Sequence, residues 1–427
     1  MKAAVILGAA LFAPVSAQAL GLEEAISLAL ERNEVAGIAE ARVAQARAER
    51  RRAVAALLPS VVARGTWNLG PELTRDIGGA QVVVRPGSSF GVGVSAATRL
   101  LDPAQIPLVT AAARDARAQE QASVELQRSL AFEVATGYVA VLAAEAVADA
   151  AERRVAVAEE AASVARERLA AGLANRNDVT RTELALSDAR LARTNAVEAA
   201  QLARIALGYL VVQPVEGELA PPVLPAPQAE GPADALAEDA RTRRPDVLAL
   251  RLQTEAADAR DDEPMLRLVP SLDLQANWNA TTAAGFSGRE SDWNVVMGLT
   301  WEIYDGGLRY ADDRLLSART RELSLQARAL ERQVGREIDE ALLGVATARV
   351  AAEEAEVRAS VARQNEEEIV LRFEAGLATA LEQADAIAQR FAADAAAASE
   401  ALQLQIQMLG LRAAMGLWPL DDGRGDS

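Results

Sequence analysis

Glu382 and Asp385 stand three residues apart, a spacing that puts two carboxylates on one face of a helix. Such a pair can hold cations or exchange protons, and acids also suit the positive dipole end of a helix start. Asn177 and Asp178 form a second short polar pair far upstream. Few other reactive side chains exist. Histidine and cysteine are absent and the only lysine is Lys2. Ser-His-Asp triads, His/Cys metal sites and, once Lys2 is removed, the P-loop lysine are therefore excluded. An enzyme would have only carboxylate chemistry, and acidic runs such as Glu366-Glu367-Glu368 suit solvated helix faces better than catalytic dyads. No catalytic residue, metal site or cofactor is expected.

The formal charge of -17 becomes -18 (-17 minus 1) if Lys2 leaves with a leader, which argues against a nucleic-acid partner. A leader is expected over residues 1–19: Lys2 gives a positive start, Ala3 to Ala13 is apolar, and Ala17-Gln18-Ala19 fits the small-x-small cleavage pattern, so that the mature chain begins at Leu20. Pro14 interrupts the apolar run well short of the ~20 residues a membrane-spanning helix needs. Further on, Arg, Asp or Glu recurs through every helical segment, so no later transmembrane helix is expected and any crossing of a bilayer is made by strands. Without cysteine there is neither a disulfide nor a lipid-bearing N-terminal cysteine.

The elements that position these acids come in two copies. Pro59-Ser60 to Trp67-Asn68 returns as Pro270-Ser271 to Trp278-Asn279, an offset of 211 (270 minus 59). Ala171-Gly172-Leu173 returns as Ala375-Gly376-Leu377 at an offset of 204 (375 minus 171). The difference places extra residues in the first copy, read as a long Gly/Pro-rich loop from Pro71 to Ser88. The organisation expected is a first repeat over 20–212, a Pro-rich connector over 213–232, a second repeat over 233–416 and a tail over 417–427. Each repeat runs helix, strand pair, very long helix, turn, long helix. From Pro103 to Gly172 only Pro107 and Gly137 interrupt, and a helix of that length spans roughly 100 Å. Leu126, Leu130, Val134, Tyr138 and Leu142 form an apolar stripe at i+4 spacing.

The strands alternate. Trp293, Val295, Met297, Leu299, Trp301 and Ile303 share one face, opposite Asn294, Val296, Gly298, Thr300, Glu302 and Tyr304. Phe90, Val92, Val94, Ala96 and Leu100 oppose Ser89, Gly91, Gly93, Ser95 and Arg99, and Leu272, Leu274, Ala276 and Trp278 oppose Asp273, Gln275, Asn277 and Asn279. Val61, Ala63 and Trp67 oppose Arg64, Thr66 and Asn68. Each segment has about the 9–11 residues that cross a bilayer when tilted, and the tryptophans suit interfacial girdles. Four strands cannot close a conducting barrel, and an open edge is not tolerated in lipid. Several chains must share one barrel, and three copies give twelve strands (three times four).

With these features in place, the chain resembles the TolC family of outer-membrane efflux proteins over nearly its whole mature length. Leu22-Glu23-Glu24-Ala25 through Asn33 resembles the opening helix, and Trp301-Glu302-Ile303-Tyr304-Asp305-Gly306-Gly307 resembles the strand-to-helix signature. Arg168 to Leu173 with Asn177-Asp178-Val179, and Arg372 to Leu377, resemble the periplasmic tip motifs. The resemblance implies a mostly α fold with a small β part: two tandem repeats of long antiparallel helical hairpins, each repeat giving a strand pair to a trimeric 12-stranded transmembrane β-barrel. It implies a homotrimer in outer-membrane lipid with a long periplasmic part, working with a periplasmic adaptor (membrane fusion protein) and an inner-membrane pump in efflux or type I secretion. The alternative is a periplasmic coiled-coil adaptor or structural protein, which typically has one hairpin where this chain has two.

The same resemblance implies an entrance gate. Glu382 and Asp385 match the family's two acidic rings, with Glu382 where Asp is usual. Phe373 and Ala378 stand where the family has an aromatic hydroxyl and an arginine, and Asn177 and Asp178 fall at the partner acceptors, so a looser or differently latched gate is expected. Ala171, Gly172, Leu173, Ala375, Gly376 and Leu377 are the expected adaptor-docking residues.

Overall fold

The computed structural model describes residues 20–222, 224–225, 231–283 and 289–420. The expected leader over 1–19, part of the connector and the end of the tail lie outside the described residues. The chain divides into two compact units, each drawing on both sequence repeats: Ala39–Glu125 with Pro245–Gln333, and the described residues of Met1–Ile38, Leu126–Arg244 and Val334–Ser427.

The first of these units holds the strands: β1 (Ser60–Leu69), β2 (Leu73–Ile77), β3 (Ala80–Arg85), β4 (Ser88–Leu101), β5 (Ser271–Thr281) and β6 (Ser291–Thr300). A four-stranded antiparallel sheet has the order β1-β4-β5-β6. Its register keeps the expected faces together except at the end of β4, where a bulge between Arg99 and Leu101 sets Leu101, and not the expected Leu100, opposite Leu272. Trp67 pairs with Phe90 and Ala63 with Val94, Val94 with Trp278, and Trp278 with Trp293 and Leu274 with Met297. Because side chains alternate along a strand, one shifted residue would have mixed the faces. The opposite face is concave and carries Arg64, Thr66, Asn68, Gln275, Asn277 and Asn279. Among the described residues neither face is covered: β1 is exposed throughout, and Trp293 and Met297 of β6 are 75% and 65% exposed.

The strand unit departs from expectation at two places. The segment read as a loop from Pro71 to Ser88 contains the β2–β3 ribbon. Gly78 and Gly79 are both left-handed (φ 66° and 87°), the two-residue turn whose twist matches flanking strands, and Asp76 accepts the Gly79 N–H at 2.9 Å. The last strand ends at Thr300, before Trp301 and Ile303. Trp301 instead donates its indole N–H to the Leu268 carbonyl at 3.0 Å. The strand-to-helix signature then folds on Asp305, whose carboxylate accepts the N–H groups of Gly307 (3.0 Å) and Arg309 (2.8 Å) and the Arg309 Nε (3.1 Å). Burial pushes this carboxyl up, but the backbone N–H groups and the arginine outweigh it and hold the group below its ordinary range. Gly306 and Gly307 are both left-handed, which explains the glycine pair.

Helices α2 (Glu34–Ala55), α6 (Pro245–Asp261) and α7 (Glu263–Leu266) supply further residues to this unit, and α3 (Gln105–Ala170) and α8 (Leu308–Glu374) contribute to both units. Pro107 lies in the first turn of α3, where its missing N–H costs no helical bond. At Gly137 the helix packs beside Leu207 and Leu210 of α4 (Arg176–Val211), where an added Cβ would make ordinary contacts at 3.8 and 3.5 Å.

The helical unit is completed by α1 (Leu22–Arg32), α5 (Ala233–Arg243) and α9 (Ala380–Ala414). Its core joins Leu130, Val134 and Tyr138 of the α3 stripe to Ile26 of α1, Leu207 of α4 and Leu409 of α9. Burying each large aliphatic side chain contributes roughly 1.5–3 kcal/mol. Contrary to the expectation that no later helix is apolar enough to cross a membrane, α3 holds a window of mean hydropathy 1.6 that qualifies by length and composition. Leu130, Val134 and Tyr138 within α3 are at most 3% exposed, each packed in this helical core. The Tyr138 hydroxyl lies 2.7 Å from the carbonyls of both Leu20 and Ala220 and shares its proton between them, tying the start of the described chain and the connector to α3.

Candidate functional site

The two hairpin tips are built alike. At the end of α3, Gly172 adopts φ 73° while Leu173 N–H donates to the Arg168 carbonyl (2.8 Å) and Gly172 N–H to that of Leu169 (3.0 Å). At the end of α8, Gly376 adopts φ 76° while Leu377 N–H donates to the Arg372 carbonyl (2.7 Å) and Gly376 N–H to that of Phe373 (3.1 Å). This paired bonding satisfies carbonyls a helix end would otherwise leave open, and it needs a residue free of a Cβ penalty at positive φ.

The returning helices also start alike. Asn175 caps α4, its side chain accepting the Asp178 N–H at 3.0 Å while Asp178 accepts the Asn175 N–H at 3.1 Å. Thr379 caps α9, accepting the Glu382 N–H at 3.2 Å, while the Glu382 carboxylate accepts the Thr379 N–H (2.7 Å) and hydroxyl (2.9 Å). Reciprocal boxes of this kind satisfy two orphan donors at once. Asp178 and Glu382 are thus repeat equivalents, 204 residues apart (382 minus 178), with one local task.

Each residue singled out in the sequence has its own setting at these tips. The Thr379 N–H and hydroxyl hold the Glu382 carboxyl below its usual range, with the Arg372 charge adding to them. Glu382 is exposed, keeps its charge and points it back at its own cap. Asp385, one turn on, borders a hollow shared with Arg154, Arg181, Asp188 and Leu381, so the two acids have different surroundings although both belong to the first turns of α9. Asn177 is exposed and Asp178 half-buried. Phe373 is 6% exposed. All six docking candidates, Ala171, Gly172, Leu173, Ala375, Gly376 and Leu377, are exposed, and the two leucines project from their tips at 78% and 80% exposure.

What covers Phe373 was not foreseen. The Arg168 guanidinium lies 4.1 Å from its ring centroid, donates to the Phe373 carbonyl at 2.8 Å and reaches the Glu374 carbonyl at 3.2 Å. One side chain therefore caps the negative end of α8, stacks on its last aromatic and joins the two tips. Further along the same hairpins, Arg390 pairs with buried Glu366 and, at 3.5 Å, with Asp394, while Arg154 lies 4.9 Å from the Phe391 ring centroid. The Arg168 pairing escaped sequence reading because its partners lie 205 residues apart.

The arrangement offers carboxylates, guanidinium clamps and exposed leucines at paired tips, and amphipathic strands with an unclosed edge at either side of the sheet. The chain is 30% identical over 230 residues to the fusaric acid resistance protein FusA of Burkholderia cepacia, covering 51% of this chain and 40% of FusA. It is 32% identical over 231 residues to protein CyaE of Bordetella pertussis, covering 51% of this chain and 48% of CyaE. The matched stretch thus spans less than half the length of these curated relatives. In fold it superposes on the open state of the MtrE outer membrane channel of Neisseria gonorrhoeae with a TM-score of 0.80 at 21% identity, covering 94% of this chain and 90% of that one. Residues 25–211 and 236–417 match the family described as outer membrane efflux protein, so this chain belongs to the outer membrane efflux protein family.

Proposed function

We propose that three copies of this chain form one outer-membrane conduit that passes substrates from an inner-membrane pump and a periplasmic adaptor to the exterior, in efflux or type I secretion. The observation that carries this reading is the open-edged sheet with both faces uncovered in the single chain, one a continuous apolar surface and one polar. Unpaired edges in lipid would each cost several kcal/mol per unsatisfied backbone group, so β1 of one copy must meet β6 of the next. The concave polar face then lines water, and the Trp67, Trp278 and Trp293 face meets lipid.

The long hairpins carry the periplasmic tunnel, and the tips close it. Glu382 and Asp385, repeated threefold, form acidic levels that attract cations. Asn177, Asp178 and Phe373 take part in the closing contacts. The exposed tip segments around Gly172 and Gly376 receive the adaptor. FusA is named for resistance to fusaric acid, which accords with an export role. The two sequence repeats bounded at 212 and 233 are the units of this assembly, each giving one strand pair and one hairpin.

Fractionation with native mass measurement tests this reading. An outer-membrane trimer that conducts in planar bilayers is expected. A monomeric, water-soluble periplasmic protein would overturn it.

A further inference from the structure

Arg168 has an equivalent in the second repeat. Arg168-Leu169-Ala170-Ala171-Gly172-Leu173 aligns with Arg372-Phe373-Glu374-Ala375-Gly376-Leu377, residue for residue at an offset of 204 (372 minus 168), and both segments have the same helix end. Only one of the two equivalent contacts is made within the chain. Arg168 reaches the Phe373 and Glu374 carbonyls and covers the Phe373 ring. Arg372 pairs at 2.5 Å with Glu368 on its own helix, both side chains remaining near 60% exposed (57% and 62%). Leu169, the equivalent of buried Phe373, is 38% exposed, and Leu371 beside Arg372 is 67% exposed. One half of a repeated interaction is thus left open on the arginine side of the second tip and on the acceptor side of the first.

We propose that Arg372 makes onto a second copy of this chain the contact that Arg168 makes within it, donating to the Leu169 and Ala170 carbonyls of the neighbouring copy and lying over its Leu169. The inference rests on the ring of three chains proposed above. In such a ring, hairpins from the two repeats alternate, and the step from first to second repeat is followed by a like step from second repeat to the next copy's first. Quasi-equivalent surfaces then meet with quasi-equivalent side chains. A guanidinium suits the task because it can serve two carbonyls at once and remains charged. Six arginines would clasp the six tips, three within chains and three between them. The between-chain clasps use a side chain whose existing ion pair is short-range and solvated, so the exchange costs little. Leu169 in place of Phe373 removes the aromatic face, so the contacts between chains are the weaker set and separate first when the entrance widens.

The absence of cysteine allows a direct test on the full-length protein in detergent or outer membranes. Two differently tagged chains, one carrying Arg372→Cys and one carrying Ala170→Cys, are co-expressed and treated with a short bis-maleimide that replaces the reach of the arginine. A shift to twice the chain mass, joining the two tags, is the expected result. A single chain with Arg168→Cys and Glu374→Cys should link within itself. Its two substitutions placed on separate chains should give no such shift. A protein that is trimeric by native mass yet gives no Arg372/Ala170 link between tags would overturn the inference and leave the trimer standing. A protein that stays monomeric would overturn both.

Discussion

The Arg168 guanidinium stacks 4.1 Å from the centre of the Phe373 ring and donates to the carbonyl of that same residue, so one side chain on the first hairpin grips both the ring and the backbone of the second. The family's latch, as the sequence resemblance implied it, has a hydroxyl at the position of Phe373. Here the aromatic is kept, its hydroxyl is lost, and the link comes from the opposite direction, from an arginine at the end of α3. A charged donor on two carbonyls with an aromatic beneath it joins the two tips, and hydrogen bonds to charged groups contribute about 1.5–3 kcal/mol each.

Removing that grip should loosen the tips without unfolding the chain. Arg168→Ala is expected to speed amide exchange at 373–377 and raise single-channel conductance, while Arg168→Lys, which retains charge but lacks the planar fork, should fall between. Exchange followed by mass spectrometry, alongside bilayer recordings, checks both. Unchanged exchange at the α8 end would mean that the contact carries no weight.

The proposed acidic levels predict a change in selectivity. Glu382→Gln with Asp385→Asn should weaken cation preference and divalent block in planar bilayers. The glutamine also keeps an acceptor for the Thr379 cap, so lost folding should not confuse the result. Identical reversal potentials in the two proteins would count against a ring.

Acid should fray the start of α9 late. Glu382 has a folded pKa below its unfolded value, so its stabilising contribution is complete above the unfolded value and is lost as pH falls through the lower folded one. Exchange at 380–383 should therefore stay slow down through the ordinary glutamate range and accelerate only below it. In Glu382→Gln the part of that pH dependence beyond the intrinsic chemistry of amide exchange should vanish.

The Tyr138 hydroxyl anchors two carbonyls inside the helical core. Tyr138→Phe removes the donor of the Ala220 carbonyl and leaves Leu20 only the Ala220 N–H at 3.4 Å, which should cost roughly 1–3 kcal/mol, the penalty of an unsatisfied buried polar group. A lower midpoint in thermal or denaturant unfolding, together with faster proteolysis at the connector near Ala220, would register it.

Lipid facing is tested by two arginines on one strand. Met297→Arg, on the apolar face of β6, should cost about 2–4 kcal/mol and sharply reduce membrane assembly. Asn294→Arg, on the other face, should assemble and alter conductance. Equal yields from both would remove the argument for a lipid-exposed face.

Much of this protein is written locally. Periodicities of 3.6 and 2 residues are properties of short windows, so the stripe at Leu130, Val134 and Tyr138 and the alternation through Trp293 to Leu299 declared helix and strand before any fold was known. Gly172 and Gly376 announced the helix ends for a similarly local reason, because few other residues adopt positive φ cheaply. The capping boxes at Asn175 and Asp178 and at Thr379 and Glu382 were also local, yet their acids were read for the gate and not for the cap. The Gly78-Gly79 turn is hidden at this level, because glycine-rich composition is common to loops and hairpin turns and only the pairing of Ile77 with Ala80 separates them.

Tertiary structure decided what distance in sequence hides. That Arg168 meets Phe373, that Tyr138 meets Leu20 and Ala220, and that Gly137 lies beside Leu207 and Leu210 all depend on segments brought together only when the apolar stripes bury one another. A sequence specifies which face of a helix is apolar. Which neighbour covers that face, and therefore which polar group lies within reach of which carbonyl, is set by packing.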